Sequence, residues 1–223
     1  MKRIMDPLEV MGAEFQSNTG TLPLKIIGKE LKNKNIIIDI PSAQIKSGLI
    51  LAAINTEGES TIIEKNTTRD HTENMLKSFG ADIDLEKNGT ETLIKINGKK
   101  ELQANNISVP SDLSSSAFFI VAALINEGSR INLKNININP TRDGIIKALK
   151  KMGANINITN QHIVSGEFVA DLNVEYSSLN GCELDEEMAK LMIDEYPILS
   201  IAAAFANSPS LFKGLGELKV KES

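Results

Sequence analysis

Three groups of polar residues in this 223-residue chain have the types and spacing to handle an anionic metabolite. Ser42, Gln44 and Lys46 set a hydroxyl, a carboxamide and an ammonium directly after Pro41. At a strand-to-helix junction they would join free backbone amides and the positive end of a helix dipole, a combination that binds phosphate or carboxylate. The ordinary alternative is that Ser42 is a helix N-cap and Lys46 a solvated charge. Arg69 and Arg142 form the second group, each inside a Thr-Arg-Asp string. An arginine at a helix start works against the dipole, so it asks for an external anion or for an ion pair with Asp70 or Asp143 next door. Asp194 and Glu195, just ahead of Pro197, are the third. They read either as a general base or as carboxylates complementing a helix dipole.

The other reactive types offer less. His71 follows Arg69 as a further donor or a structural residue, and His162 reads as surface. Cys182 has no histidine near it in sequence and reads as an unreactive core or strand residue. Lys221 and Glu222 carry no role that spacing alone assigns. Dinucleotide glycine fingerprints, a P-loop, zinc-ligand spacing and the Gly-x-Ser-x-Gly elbow are all missing from the sequence.

These residues must be positioned by a module that occurs almost twice. Pro41 answers to Pro110, Ala52-Ala53 to Ala122-Ala123, Gly58 to Gly128, Thr68-Arg69-Asp70 to Thr141-Arg142-Asp143, and Gly80-Ala81 to Gly153-Ala154. The offset of roughly 70 residues suits a supersecondary unit rather than a small solenoid repeat. Ile36, Ile38 and Ile40 alternate into a strand that ends at Pro41. Ser42 to Ile54 read as a helix with Ile45, Leu49, Ala52 and Ala53 inward. A strand at Thr61–Ile63 follows. Asp70 and Glu73 have capping-box spacing for a second helix, with Met75, Leu76 and Phe79 inside and Gly80 as a left-handed cap. Asp82–Leu85 and Leu93–Ile96 then form a hairpin through Asn88-Gly89. The unit is βαβαββ. Its second copy runs from Ile107, with Ile145, Ile146, Leu149 and Met152 as a helix stripe. Strands follow at Ile156–Ile158 and Ile163-Val164, and it closes on Phe168, Ala170, Leu172 and Val174.

Met11-Gly12-Ala13 repeats the end of the unit's second helix, and Leu22–Ile27 its closing strand, so the chain opens inside a partial unit. Another partial unit starts near Cys182, has a helix from Pro197 and a strand at Ser210-Leu211, and stops where the next helix is due. The expectation is an internal piece of a longer protein. The polar stretch Lys99–Asn106 holds no apolar period, and the expected division is 1–104 and 105–223. The fold class is α/β (α+β), as tandem βαβαββ repeats in two partial domains. Unpaired sheet edges and exposed apolar surface favour self-association of such a piece.

Composition narrows the function classes. A net charge of −5 argues against a general nucleic-acid surface but leaves room for a local basic pocket. With aromatic residues at 4%, base stacking on RNA is disfavoured. One cysteine excludes an intrachain disulfide and suits a reducing cytoplasm. No apolar run approaches the ~20 residues of a membrane-spanning helix.

On specific strings, the chain resembles the 5-enolpyruvylshikimate-3-phosphate synthase family (3-phosphoshikimate 1-carboxyvinyltransferases), in its class II bacterial branch. The strings are Asp6-Pro7-Leu8 with Met11-Gly12, Ser42-Ala43-Gln44-Ile45-Lys46-Ser47, Thr68-Arg69-Asp70-His71-Thr72-Glu73, Asn139-Pro140-Thr141-Arg142, Met192-Ile193-Asp194-Glu195-Tyr196-Pro197 and Val220-Lys221-Glu222-Ser223. They span nearly the whole chain. The resemblance implies two domains of three βαβαββ units each around an active-site cleft. It implies enolpyruvyl transfer from phosphoenolpyruvate to the 5-hydroxyl of shikimate 3-phosphate, in aromatic amino acid biosynthesis, with no metal or organic cofactor. It further implies that Ser42, Ala43, Gln44, Arg69, Asp194 and Lys221 contact shikimate 3-phosphate, and that Gln44 and Glu222 reach phosphoenolpyruvate. Asp194 would take the proton of the attacking hydroxyl, Lys221 would bind substrate, and Glu222 would move protons at the methylene carbon.

The departures from the family pattern are mostly absences. Its early Lys-Ser and arginine, its phosphoenolpyruvate-binding arginine and its late Asp-His-Arg motif have no counterpart here. Ser111 stands where the family's Gly-Asp-x-Ser-Ser turn usually has glycine. The chain alone is therefore expected to be inactive, the full-length enzyme a monomer. Two other readings compete: the UDP-N-acetylglucosamine enolpyruvyltransferases, which share fold and reaction but usually carry a loop cysteine that Cys182 does not match, and a noncatalytic βαβαββ binding module.

Overall fold

Alternation builds the first sheet. In β3 (Asn35–Ile38), Ile36 and Ile38 are buried while Ile37 points outward. Ile40 lies beyond the strand and is exposed. The computed structural model describes residues 1–220, which form two units, Met1–Asn106 and the chain from Ile107 onward. In the first, Ser42 has an extended backbone and its hydroxyl accepts from the Ile45 amide, starting α2 (Ala43–Ile54). Leu49, Ile50 and Ala53 on its inner face are fully buried, and each large aliphatic side chain so removed from water contributes about 1.5–3 kcal/mol. β4 (Gly58–Glu64) lies parallel to β3, with Asn35 opposite Thr61. After α3 (His71–Ser78), β5 (Ile83–Asn88) and β6 (Glu91–Gly98) form a hairpin whose turn needs Gly89 at φ +62°. The strand order is β3-β4-β6-β5, antiparallel except for the first pair. Ahead of this βαβαββ unit stand α1 (Lys2–Val10) and a small antiparallel pair, β1 (Glu14–Gln16) with β2 (Lys25–Ile27). α1 packs on α2 at Gly48, where a Cβ would come within 2.9 Å of Ile4 Cδ1.

Two expectations for α3 fail. Asp70 makes no side-chain cap bond to the helix amides; its carboxylate accepts from Asn74. Glu73 is turned into the interior, so the capping box does not form. Met75 faces outward, leaving Leu76 as the helix's buried apolar anchor, while Gly80 takes the left-handed cap at φ +79°.

The second unit keeps the pattern with one strand reduced. Residues 107–110 form no strand; Ser111 alone bridges to Ile136, donating to the Asn135 carbonyl and accepting from Asn137. Pro110 withholds an amide, and Ile107 and Val109 are exposed. α4 (Leu113–Ile125) is capped by Asp112, and β7 (Arg130–Asn137) and α5 (Gly144–Lys151) follow. β8 (Asn155–Val164) is one long strand where two were expected, with an irregularity between Thr159 and His162. β9 (Glu167–Glu175) lies between β7 and β8 and pairs antiparallel with both. Opposite the irregularities in both neighbours, its alternation slips: Ala170, Leu172 and Val174 are buried, but Phe168 turns outward and Val169 inward. Ile145, Ile146, Leu149 and Met152 are all buried, as their spacing requires. The last segment pairs β10 (Glu183–Leu184) in parallel with β11 (Leu211–Phe212). Between them lie α6 (Glu186–Met192), a 3₁₀ turn at Ile193–Glu195, and α7 (Tyr196–Ala204) with Pro197 in its first turn.

Candidate functional site

Because β3 and β4 run parallel, the segments leaving their carboxyl ends open at one edge of the sheet, the usual ligand edge of such arrangements. One segment carries Ser42, Ala43 and Gln44 into the first turn of α2; the other carries Thr68 and Arg69 into α3. Gln44 is exposed there, and Ser42, Ala43 and Arg69 are half-buried.

Lys46 is neither a ligand cation nor a solvated charge. Its side chain is 1% exposed, and its ammonium sits 3.2 Å from Glu64 Oε2 and 2.9 Å from Glu73 Oε1. A third contact, at 3.4 Å, goes to the Thr68 carbonyl. Three donors thus meet three acceptors, and none is left for an outside anion. Glu64 uses its other oxygen to accept the Thr68 amide at 2.9 Å and the Thr68 hydroxyl. A second strap joins the Ser47 and Thr72 hydroxyls at 2.6 Å. The two junctions are therefore tied together beneath the surface that presents Gln44 and Arg69. Glu73 Oε2 is buried and accepts no hydrogen bond among the described residues. Burial pushes the Glu73 carboxyl up, and Lys46 opposes the shift without cancelling it.

In the second unit, Arg142 does not pair with Asp143, which faces Lys147 at 2.6 Å. Its guanidinium donates to Ser114 Oγ at 2.5 Å and lies 3.6 Å from Asp112 and 3.9 Å from Glu195. Ser114 in turn donates to the buried Glu195 carboxylate. Burial raises the Asp112 carboxyl, but the Ser115 amide and hydroxyl together with Arg142 win and hold it below the usual carboxylate range. This cluster anchors the 3₁₀ turn in which Asp194 sits half-buried beside Glu195. Cys182 is half-buried, and burial pushes its thiol up, away from the reactive thiolate. His162 is exposed, its ring against the Asn160 carbonyl.

Of the expected site residues, Ser42, Ala43, Gln44 and Arg69 belong to the first unit and Asp194 to the second; Lys221 and Glu222 lie outside the described residues. Sequence reasoning passed over Glu64 and Ser114. The signal for Glu64 was available: alternation puts it in phase with Ser60 and Ile62 on the buried face of β4, and a carboxylate there requires a cation. Ser114 lies in the string that matches the family's Gly-Asp-x-Ser-Ser turn, but its partners Arg142 and Glu195 come from segments far along the chain that no spacing links to it.

The sequence model of EPSP synthase (3-phosphoshikimate 1-carboxyvinyltransferase) matches residues 1–223. The chain belongs to the EPSP synthase family. A 3-phosphoshikimate 1-carboxyvinyltransferase from Bartonella henselae is 47% identical over the whole chain and 51% of its own length. The one from Paramagnetospirillum magneticum is 48% identical with the same coverage. The chain spans about half the length of the curated relatives it matches. Among solved structures, EPSP synthase from Acinetobacter baumannii superimposes with a TM-score of 0.88 at 44% identity, over 100% of this chain and 50% of that one. The enolpyruvyl transferase NikO from Streptomyces tendae, at 16% identity and a TM-score of 0.65 over 95% of this chain and 51% of its own, shares the fold. No helix among the described residues is long and apolar enough to cross a membrane.

Proposed function

We propose that this chain supplies part of the substrate site for enolpyruvyl transfer from phosphoenolpyruvate to the 5-hydroxyl of shikimate 3-phosphate. The first turn of α2 offers backbone amides, the Ser42 hydroxyl and the Gln44 carboxamide to the phosphorylated ligand, and Arg69 adds a guanidinium. Gln44 also reaches toward phosphoenolpyruvate. Asp194, in a turn that opens a helix, accepts the proton of the 5-hydroxyl as its oxygen bonds to C2 of phosphoenolpyruvate. Glu222 delivers a proton to the methylene carbon, giving a tetrahedral adduct, and Lys221 binds substrate. Elimination removes a proton from the new methyl group and breaks the C–O bond to phosphate. A single cysteine suits the reducing cytoplasm as the compartment of this reaction.

One observation carries this reading: the parallel pair β3–β4 opens both junctions at one edge, with the whole-chain family match behind it. Titrating the chain with shikimate 3-phosphate should shift the amide resonances of Ser42–Gln44 and Arg69, and UDP-N-acetylglucosamine should leave them unmoved. No phosphate release is expected from the chain alone with both substrates. Arg69 and Lys221 are too few cations to stabilise the charge that such a transfer develops. Shifts with the UDP-sugar alone would reverse the assignment, and no shift with either ligand would remove it.

A further inference from the structure

We propose that Lys46 is a positioning residue: its buried ammonium holds the first turn of α2, with Ser42–Gln44, to the segment bearing Arg69, so that both grip one phosphorylated ligand. The ligand rests on the functional reading above; the link between the two segments rests on the contacts alone. Lys46 lies two residues beyond Gln44, and Thr68 one residue before Arg69. The path between them is short: Lys46 Nζ to Glu64 Oε2 at 3.2 Å, then Glu64 Oε1 to the Thr68 amide at 2.9 Å, with the Thr68 carbonyl closing back on Lys46 at 3.4 Å. Glu73, 2.9 Å from the same ammonium, brings in the first turn of α3.

An ion cluster is a costly way to fill a core, since an unbranched apolar side chain of similar length would avoid desolvating three charges. What charges add over an apolar filler is direction, because each hydrogen bond fixes a distance and an angle. Nor can the cluster act through its field. One ammonium faces two carboxylates, so it lends no net positive charge to an anion above it. Its contribution to binding is geometric, which separates it from Arg69.

The test uses the full chain, with shikimate 3-phosphate affinity by calorimetry, thermal midpoint, and amide hydrogen exchange. Two variants are compared: Lys46→Met, and Lys46→Met combined with Glu64→Gln and Glu73→Gln, which leaves no charge buried. Lys46→Met should weaken binding on the order of tenfold or more, as expected when binding groups lose their mutual placement. The triple variant should recover the thermal midpoint but not the affinity, and exchange at Thr68 and Arg69 should be faster in both. Affinity within about twofold of the original in either variant, or affinity that returns together with the thermal midpoint, overturns the proposal. If Lys46→Met does not fold, the triple variant carries the same comparison. If the unaltered chain fails to bind shikimate 3-phosphate, the functional reading falls, and exchange then decides the link: unchanged rates at Thr68 and Arg69 refute it, faster rates uphold it.

Discussion

Burial pushes the Glu73 carboxyl above the usual carboxylate range, and the Lys46 ammonium pulls it back only in part. In that case the folded chain holds the Glu73 proton at a pH where the unfolded chain has released it. The resulting stability is fully present below the ordinary glutamate value and is lost as pH rises through the raised folded value. Glu73→Gln cannot lose that proton. The difference in unfolding free energy, variant minus original, should therefore grow as pH rises from the ordinary glutamate value through the raised folded one, read from urea melts of the first unit. A constant difference across that window would mean that Glu73 is ionised with an ordinary affinity for its proton. The same residues mark what was legible at this scale. Lys46 falls in line with Ile50 and Ala53 on the inner face of α2, and Glu64 in phase with Ile62 on β4, so periodicity alone could have paired them. Thr68, which donates to Glu64 from outside any helix or strand, could not be read this way. Loop residues have no period to place them.

At the scale of elements, the close approach of α2 to β6 depends on Gly98. A Cβ there would lie 1.9 Å from the Thr56 carbonyl oxygen and 2.3 Å from that of Ala53, both backbone atoms at the end of α2. Neither can rotate away, so Gly98→Ala must shift the helix end from the strand. The expected cost is about 3 kcal/mol, measured as a lowered urea midpoint of the first unit with unchanged slope. A loss below about 0.5 kcal/mol would show that the helix end yields freely. Periodicity predicted α2, α5 and the β5–β6 hairpin because each had several turns or pairs of consistent pattern, and α4 followed only from the repeat that matches Ala122-Ala123 to Ala52-Ala53. It missed α6, whose seven residues are too few for a helical period to stand out, although Asp185 accepts from the Met188 amide as its cap. It split β8 in two because the irregularity after Thr159 breaks alternation, and only the partner strand β9 shows that pairing continues on both sides. The lost first strand of the second unit has the same origin. The Ile-Ser-Val-Pro string copies the pattern of Ile-Asp-Ile-Pro, yet among the described residues it joins no ladder: the Ser108 amide donates to the Ser165 hydroxyl and Ser111 bridges to Ile136.

For the whole molecule, the duplication was plain in the order of its motifs, and it has an energetic consequence that motifs cannot convey. Most buried apolar residues fall into two clusters, one running from Met11 to Ile96 and the other from Leu113 to Ala202, with no buried residue shared. The stretch 99–106 between them forms no helix or strand and is exposed throughout. Each cluster has a fully buried leucine on a helix, Leu49 on α2 and Leu149 on α5. Truncating either to alanine removes packed methyl groups and leaves a cavity, at a cost of about 2–5 kcal/mol. If each unit is its own cooperative unit, that cost stays local. Leu49→Ala should then lower amide protection in α2 and β6 while α5 and β9 keep theirs, and Leu149→Ala should do the reverse, in hydrogen exchange followed peptide by peptide along a urea series. Equal loss of protection in both halves from either substitution would show that the chain unfolds as one body, and that the repeat visible in sequence does not survive as a division of stability.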